Sequence, residues 1–418
     1  MRLPRITSLL AAAGLVAASA TAAMAALPAP TPGTLTRHDI SASYVSGVSS
    51  GGYMATQLHV AYSGTFKGAG IFAAGPYGCA RGDLTTALTA CSGNSAGDNL
   101  AGLEQTAADR SAQGRIDPID GLSGQKVWVY HGSNDTTVQR SVTDDLAGFY
   151  THFGAAVTYD RTSQAGHSWV SPLGPNPCTS SYTPYINNCG DDPEGRMLTT
   201  LLGSVTAPAS SPAGTLISFP QKAYVPGGAD PASISMGQTG FAYVPSGCSG
   251  GARCVLMVAL HGCLQSYDNA AVGDKFLADA GLNGYADTNH MIVLYPQATA
   301  TSSANPQGCW NWWGYLGDTS YDVHGGAQVE TIMNMVRALG GGPAGGTPSP
   351  TPTPTPTPTP VCVTADNYTH TTAGRAHQSG GYAYANGSND ALGLWNTFTV
   401  RTLRQTGPGY WVRVDGAC

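Results

Sequence analysis

The sequence predicts an α/β fold organised on a mostly parallel sheet. Short apolar runs of strand length alternate with longer segments of helical pattern. Ser49, Asp135 and His167 each fall just after one of those strands, where functional groups collect in such a sheet. One strand also runs through Gly47-Val-Ser-Ser-Gly51 directly into a helical segment, leaving room for only small residues at the turn.

Taken in order, residues 1–25 read as a cleaved signal peptide. The start is basic, the apolar run is too short to span a bilayer comfortably, and Ala23-Met-Ala25 supplies a small-residue cleavage site. An uncleaved membrane anchor is the competing reading. Residues 26–342 are expected to form the α/β domain, beginning with the extended lead-in Leu27 to Gly33. Ile40 to Val45 reads as a strand, Tyr53 to Tyr62 as a helix and Phe66 to Ala74 as a second buried strand. From Gly75 to Gln125 the chain turns polar, with one helix from Leu100 to Ser111. Lys126 to His131 is a strand that ends in Gly132-Ser-Asn-Asp135. Ser141 to Phe153 is an amphipathic helix, Ala155 to Tyr159 a strand, and Gln164-Ala-Gly-His167-Ser-Trp169 the loop after it. Further on, Gly240 to Val244 is a strand, and a buried strand starting at Cys254 ends in His261-Gly-Cys263. A helix from Phe276 to Asn289, the strand Met291 to Tyr295, the segment Gly308-Cys-Trp-Asn-Trp-Trp-Gly314 and a helix from Ala327 to Leu339 complete the domain.

Gly-x-Ser-x-Gly occurs around Ser49, Ser95 and Ser249, as it will by chance in a chain rich in Gly and Ser. Ser95 has no apolar strand before it, and Ser249 sits between two cysteines in an expected hairpin loop. Only Ser49 has the strand and helix that a nucleophile elbow requires. The helix opens at the next residue, so the Ser50 N–H points to where an ester oxyanion would sit. Ser49, Asp135, His167 is the chain order of an α/β-hydrolase triad. For Asp135 the bland alternative is an Asx turn. His59, His131, His370 and His377 are placed less well than His167: one on the elbow helix, one inside a strand, two beyond a linker.

In an ordinary α/β-hydrolase the His-Gly-x loop, source of the second oxyanion N–H, precedes the nucleophile. Here it comes later in the chain, which a circular permutation explains: the helix ending near Leu339 would normally lead into the elbow strand. The alternative is two separate α/β domains, from Leu27 to about Ser204 and from about Gly214 to Gly342, each lacking part of the catalytic set.

Ten cysteines, none in the leader, suit an exported, extracellular protein. Local spacings favour pairing Cys79 with Cys91, Cys178 with Cys189 and Cys248 with Cys254, which leaves Cys263 with Cys309 and Cys362 with Cys418. The cysteines show neither a C-x-x-C pair nor a partnered histidine spacing, so no metal or cofactor is expected. Charged residues make up 11% of the chain and the net charge is -6, with no basic stripe to bind nucleic acid. Past the leader nothing is long and apolar enough to cross a membrane, and a monomer working on a neutral substrate, a solid one included, is expected. Residues 343–360 form a Thr/Pro spacer that stays extended. Residues 361–418 form a small module stapled by its terminal cysteines. Its Tyr368, Tyr382, Tyr384, Trp395, Phe398, Tyr410 and Trp411 either grip a flat polymer or sugar surface or build its own core.

Assembled, five motifs resemble those of the secreted poly(3-hydroxybutyrate) depolymerases with an N-terminal serine box. They are Gly47-Val-Ser-Ser-Gly-Gly-Tyr-Met54, His131-Gly-Ser-Asn-Asp135, Ala165-Gly-His167, Leu260-His-Gly-Cys-Leu-Gln265 and Gly308-Cys-Trp-Asn-Trp-Trp313, all between Leu35 and about Leu339. The resemblance implies a circularly permuted α/β-hydrolase, a triad on Ser49, Asp135 and His167, an oxyanion hole at Ser50 and Cys263, and a polyester surface as partner. A Cys263 to Cys309 bridge would then bring Trp310, Trp312 or Trp313 beside the acyl pocket, although at least one of the three is expected in the core. The scaffold equally admits a feruloyl or acetylxylan esterase with a carbohydrate-binding tail, or a non-catalytic surface binder.

Overall fold

The computed structural model describes residues 27–94, 99–301, 303–342, 361–407 and 410–414. The expected leader, the Ser95 motif, the Thr/Pro spacer and Cys418 lie outside the described residues. Two compact units divide between residues 344 and 345.

In the larger unit, nine strands form one sheet: β1 (Thr31–Pro32), β2 (Ile40–Val48), β3 (Phe66–Phe72), β4 (Lys126–Tyr130), β5 (Ala156–Asp160), β6 (Thr215–Pro220), β7 (Thr239–Val244), β8 (Cys254–Leu260) and β9 (Met291–Tyr295). Their order is β1-β6-β7-β9-β8-β2-β3-β4-β5. From β9 to β5 every neighbouring pair is parallel, and β7 runs antiparallel to both β6 and β9. The two halves of the chain therefore share one sheet instead of forming two domains. β2 and β8, one from each half, pair at its centre. Both faces are covered: Val45 of β2 belongs to one apolar cluster and Val48 to the other. Burial on both faces explains why these strands read as continuous apolar runs rather than alternating ones.

Helix α1 (Ser50–Ala61) leaves β2 and is buried along its whole length. Full burial of Met54, Leu58 and Val60 contributes about 1.5–3 kcal/mol each. The buried histidine of α1 is satisfied on both ring nitrogens. His59 Nε2–H donates to Gln125 Oε1 at 2.7 Å, and Nδ1 accepts the Tyr150 hydroxyl at 3.0 Å.

Three expectations need correction. The helix from Phe276 to Asn289 is two helices, Lys275–Asp279 and Leu282–Thr288, because Gly281 turns left-handed at φ 80° between them. The expected hairpin around Ser249 is absent, since β9 inserts between β7 and β8; Ser249 ends a short helix, its hydroxyl bonded to the Pro245 carbonyl. The polar stretch after Gly75 holds a further helix, Leu84–Thr89, capped by Asp83 through the Thr86 N–H. Disulfides join Cys79 to Cys91, Cys178 to Cys189, Cys248 to Cys254 and Cys263 to Cys309. Among the described residues no helix is long and apolar enough to cross a membrane.

The smaller unit has two three-stranded sheets and a helix, Asn367–Thr372, capped by Asp366. Its core is slight, with Ala376, Ala383, Ala385, Leu392 and Leu403 packed around Trp411. Tyr368, Tyr382, Trp395 and Tyr410 are exposed, and Phe398 is 89% exposed.

Burial lowers the His59 pKa from its ordinary 6.5 to about 4. Below pH 6.5 the unfolded chain takes a proton that the folded chain refuses, so stability falls as pH drops toward 4. His59→Gln removes this term. Urea unfolding of parent and variant should show the variant gaining about 3 kcal/mol relative to the parent between pH 7 and pH 4. A difference independent of pH would contradict the assignment.

Candidate active site

Ser49 lies between β2 and α1 with φ 56° and ψ -125°. A residue with a side chain in such a conformation carries strain on the order of 1–3 kcal/mol. Its neighbours hold it there: Ser49 N–H donates to Phe72 O at 3.0 Å, and Ser49 O accepts Tyr53 N–H at 2.9 Å. The flanking glycines are required by contact. A Cβ on Gly47 would sit 2.2 Å from Gly51 O, and one on Gly51 would sit 2.4 Å from the carbonyl oxygens of both Leu260 and His261.

Asp135 stands in the turn after β4. Its Oδ1 accepts the N–H groups of Thr137 and Val138 at 2.9 and 3.0 Å, while Oδ2 accepts His167 Nδ1–H at 2.8 Å. The Asx turn and the histidine contact are thus both present, one on each oxygen. Both side chains are buried. With Nδ1 committed to the carboxylate, Nε2 is the nitrogen left to exchange a proton. The loop bearing His167 is framed by residues 176–188: Gly166 N–H donates to Cys178 O, His167 N–H to Ser181 Oγ, and Trp169 N–H to Tyr185 O, each at 2.9 Å. The Cys178 to Cys189 bridge closes that frame.

The far half contributes the loop after β8. His261 Nε2 accepts the Ala298 N–H at 3.0 Å, which leaves Nδ1–H to donate to Gly262 O at 2.7 Å. Burial keeps this ring neutral by lowering its pKa to about 4. Gly262 O and Cys263 N–H belong to one planar trans peptide, so anchoring the carbonyl aims the N–H the opposite way. Gly262 N–H is taken by Gln265 Oε1 and Leu264 N–H by Gln307 O, leaving Cys263 N–H as the donor of this loop with no protein partner among the described residues.

Ser49 borders two cavities. The smaller, about 140 Å³, is lined by His167, Thr137, Ser181, Tyr185 and Gln307. The larger, about 390 Å³, is apolar and lined by Tyr53, Leu88, Val138, Trp312 and Trp313. Cys263 faces both. Tyr53 and Trp312 stack with ring centroids 3.9 Å apart. Of the three tryptophans expected at the pocket, Trp310 is the exception. It is fully buried, donates its Nε1–H to His261 O at 2.9 Å and lines neither cavity.

No family model matches the chain. A poly(3-hydroxybutyrate) depolymerase from Delftia acidovorans is 33% identical, the match covering 88% of this chain and 91% of that protein. A polyhydroxybutyrate depolymerase from Talaromyces funiculosus is 38% identical over 71% of this chain and 88% of its own. A serine-to-alanine variant of a PHB depolymerase complexed with an R3HB trimer superposes with a TM-score of 0.66 at 34% identity, covering 73% of this chain and 98% of that one. The crystal structure of PHB depolymerase from Penicillium funiculosum gives a TM-score of 0.65 at 35% identity. The chain belongs to the poly(3-hydroxybutyrate) depolymerase family.

Within this depolymerase scaffold the competing histidines have structural partners. His59 is locked inside the core, and His131 Nε2–H donates to Val138 O, bracing the turn that carries Asp135. Cys248, Cys254 and His290 lie close enough together to hold a metal, but the two sulfurs are bonded to each other. Sequence reasoning missed Tyr53, Leu88, Val138 and Gln265. Tyr53 stands four residues after Ser49 on the elbow helix, and Leu84 and Leu88 repeat at helical spacing inside a polar stretch, so the signals for these were present.

Asp135→Asn keeps the size of the side chain while reversing the preferred tautomer of His167. It should lower kcat on a soluble p-nitrophenyl ester by about 10⁴-fold with the fold intact by circular dichroism. A loss of less than about tenfold would contradict a role for Asp135 in orienting His167.

Proposed function

We propose that this protein is a secreted serine esterase that hydrolyses the ester bonds of poly(3-hydroxybutyrate) or related polyhydroxyalkanoates to hydroxyacid monomers and oligomers. One observation carries the reading: Ser49, strained and N-terminal to a buried helix, opens at once on a His167-lined cavity of mixed polarity and a tryptophan-walled apolar one. Such a pair of cavities suits an ester whose carbonyl meets the hydroxyl and whose methyl-bearing chain rests on rings. The names of the relatives and the R3HB trimer in a related structure support that substrate.

In this mechanism His167 Nε2 takes the Ser49 proton as Oγ attacks the ester carbonyl. Asp135 holds the ring through Nδ1–H and stabilises the imidazolium. The N–H groups of Ser50 and Cys263 bind the oxyanion. His167 then returns the proton to the leaving alcohol oxygen, and a water activated by the same nitrogen cleaves the acyl-enzyme.

The same proposal takes the chain as a circular permutant. The helix Ala327–Leu339 ends with Leu339 O accepting the His38 N–H at 2.9 Å, two residues before β2 begins. The disulfides among the described residues support export, and the enzyme is taken to act as a monomer. The exposed rings of the smaller unit support a polymer-gripping role, because a core of small residues leaves them at the surface.

Purified protein should clear a turbid poly(3-hydroxybutyrate) suspension and release 3-hydroxybutyrate. Rapid ferulate or acetate release from xylan without clearing would favour the carbohydrate-esterase reading instead. Deleting residues 361–418 should leave hydrolysis of a soluble short-chain ester within about twofold and slow attack on solid polymer about tenfold or more. Equal losses on both substrates would contradict this division.

A further inference from the structure

Three residues around the smaller cavity other than glycine sit at positive φ: Ser49 at 56°, Leu264 at 60° and Tyr185 at 56°. Ser49 carries the candidate nucleophile. Leu264 comes directly after the oxyanion residue Cys263, and Tyr185 lies in the segment that frames His167. Such conformations persist only where the surroundings over-determine them. One side chain touches the second and third of these turns. Gln265, 1% exposed, accepts the Gly262 N–H at 2.6 Å through Oε1, and its Nε2 donates to Pro184 O at 2.8 Å and Tyr185 O at 2.9 Å. Tyr185 O also accepts the Trp169 N–H, two residues beyond His167.

We propose that Gln265 is a positioning residue that keeps the oxyanion loop and the histidine-bearing loop in register with each other. The inference rests on the esterase reading above. Residues 261–265 reach the site from β8 in one half of the chain, and residues 165–192 reach it after β5 in the other. No disulfide joins them: the bridges at Cys178 and Cys263 close onto Cys189 and Cys309. Gln265 crosses that gap with a primary amide, which suits the place because it both accepts and donates. The acceptor takes the Gly262 N–H out of the oxyanion site and leaves Cys263 N–H to serve it. The donors tie the same peptide to the carbonyls of the His167 frame. Without the brace each loop keeps its own bridge, but the Cys263 N–H and the His167 ring can drift relative to one another. Because the oxyanion forms only as the reaction proceeds, the loss falls on the transition state more than on substrate binding.

Two variants test this. Gln265→Met removes every hydrogen bond at nearly constant volume, and Gln265→Glu keeps an oxygen for Gly262 N–H while losing the amide donors. Turnover of p-nitrophenyl butyrate is counted per site titrated with a serine-directed phosphonate, so misfolded protein is not scored. Both variants should lose about 10- to 100-fold in kcat, since each breaks the tie to the His167 frame, with KM within about threefold of the parent. Affinity for a trifluoromethyl ketone, which forms a tetrahedral adduct, should fall in parallel with kcat/KM. A Met variant with kcat and ketone affinity within about twofold of the parent overturns the proposal, as does a loss confined to KM. If the Met variant yields no titratable sites, the Glu variant decides by the same criteria. The parent is run alongside: a parent that neither cleaves the ester nor takes the phosphonate refutes the esterase reading, whereas a fully active parent beside an equally active variant refutes only the role of Gln265.

Discussion

The site depends on one register. β2 and β8 pair in parallel so that Gly47 lies opposite Leu260. Both strands then end together, and the segments that leave them must meet: the elbow at Ser49 on one side and His261-Gly-Cys263 on the other. Gly51 has no side chain because the carbonyls of Leu260 and His261 already occupy that space. The pair is central and buried on both faces, so a slip of one residue would turn apolar side chains onto the wrong face throughout. Core packing thereby sets where the elbow and the loop at Cys263 meet. It also brings together groups contributed by two widely separated stretches of chain.

Around that register three polar side chains are used at both ends. Asp135 divides its oxygens between a turn and His167, His261 spends one nitrogen on Ala298 and the other on Gly262, and Gln265 spends both ends of its amide. A buried polar group left unpaired costs about 1–3 kcal/mol, so each partner reduces the freedom of the next. The loop at Cys263 and the turn at Asp135 are thereby held in place by contacts that need no ligand.

The small unit has a different balance. Three alanines and two leucines around Trp411 bury little apolar area, and most of its other large rings stay outside. A module of this size gains stability from a covalent staple more readily than from a larger core. Its aromatic surface is then free to serve contact.

What could be read in the sequence was the chemistry that local residues dictate. The elbow strand and helix, the turn after Lys126–Tyr130 and the loop at His167 announced themselves through apolar runs, small residues and polar stops, because turn sterics and strand burial act on neighbours in the chain. β6, at Thr215–Pro220, was missed, and so was the insertion of β9 between β7 and β8, since pairing partners are chosen by packing across the sheet. The sequence likewise brought Trp310, Trp312 and Trp313 to one bridge without telling them apart. Only the tertiary structure turned Trp310 under His261 and left Trp312 and Trp313 facing the cavity. Local sequence determined which residue types stand at the strand ends and where the chain turns. Tertiary packing decided which groups meet, because contacts between distant segments depend on how whole strands and helices fill space together.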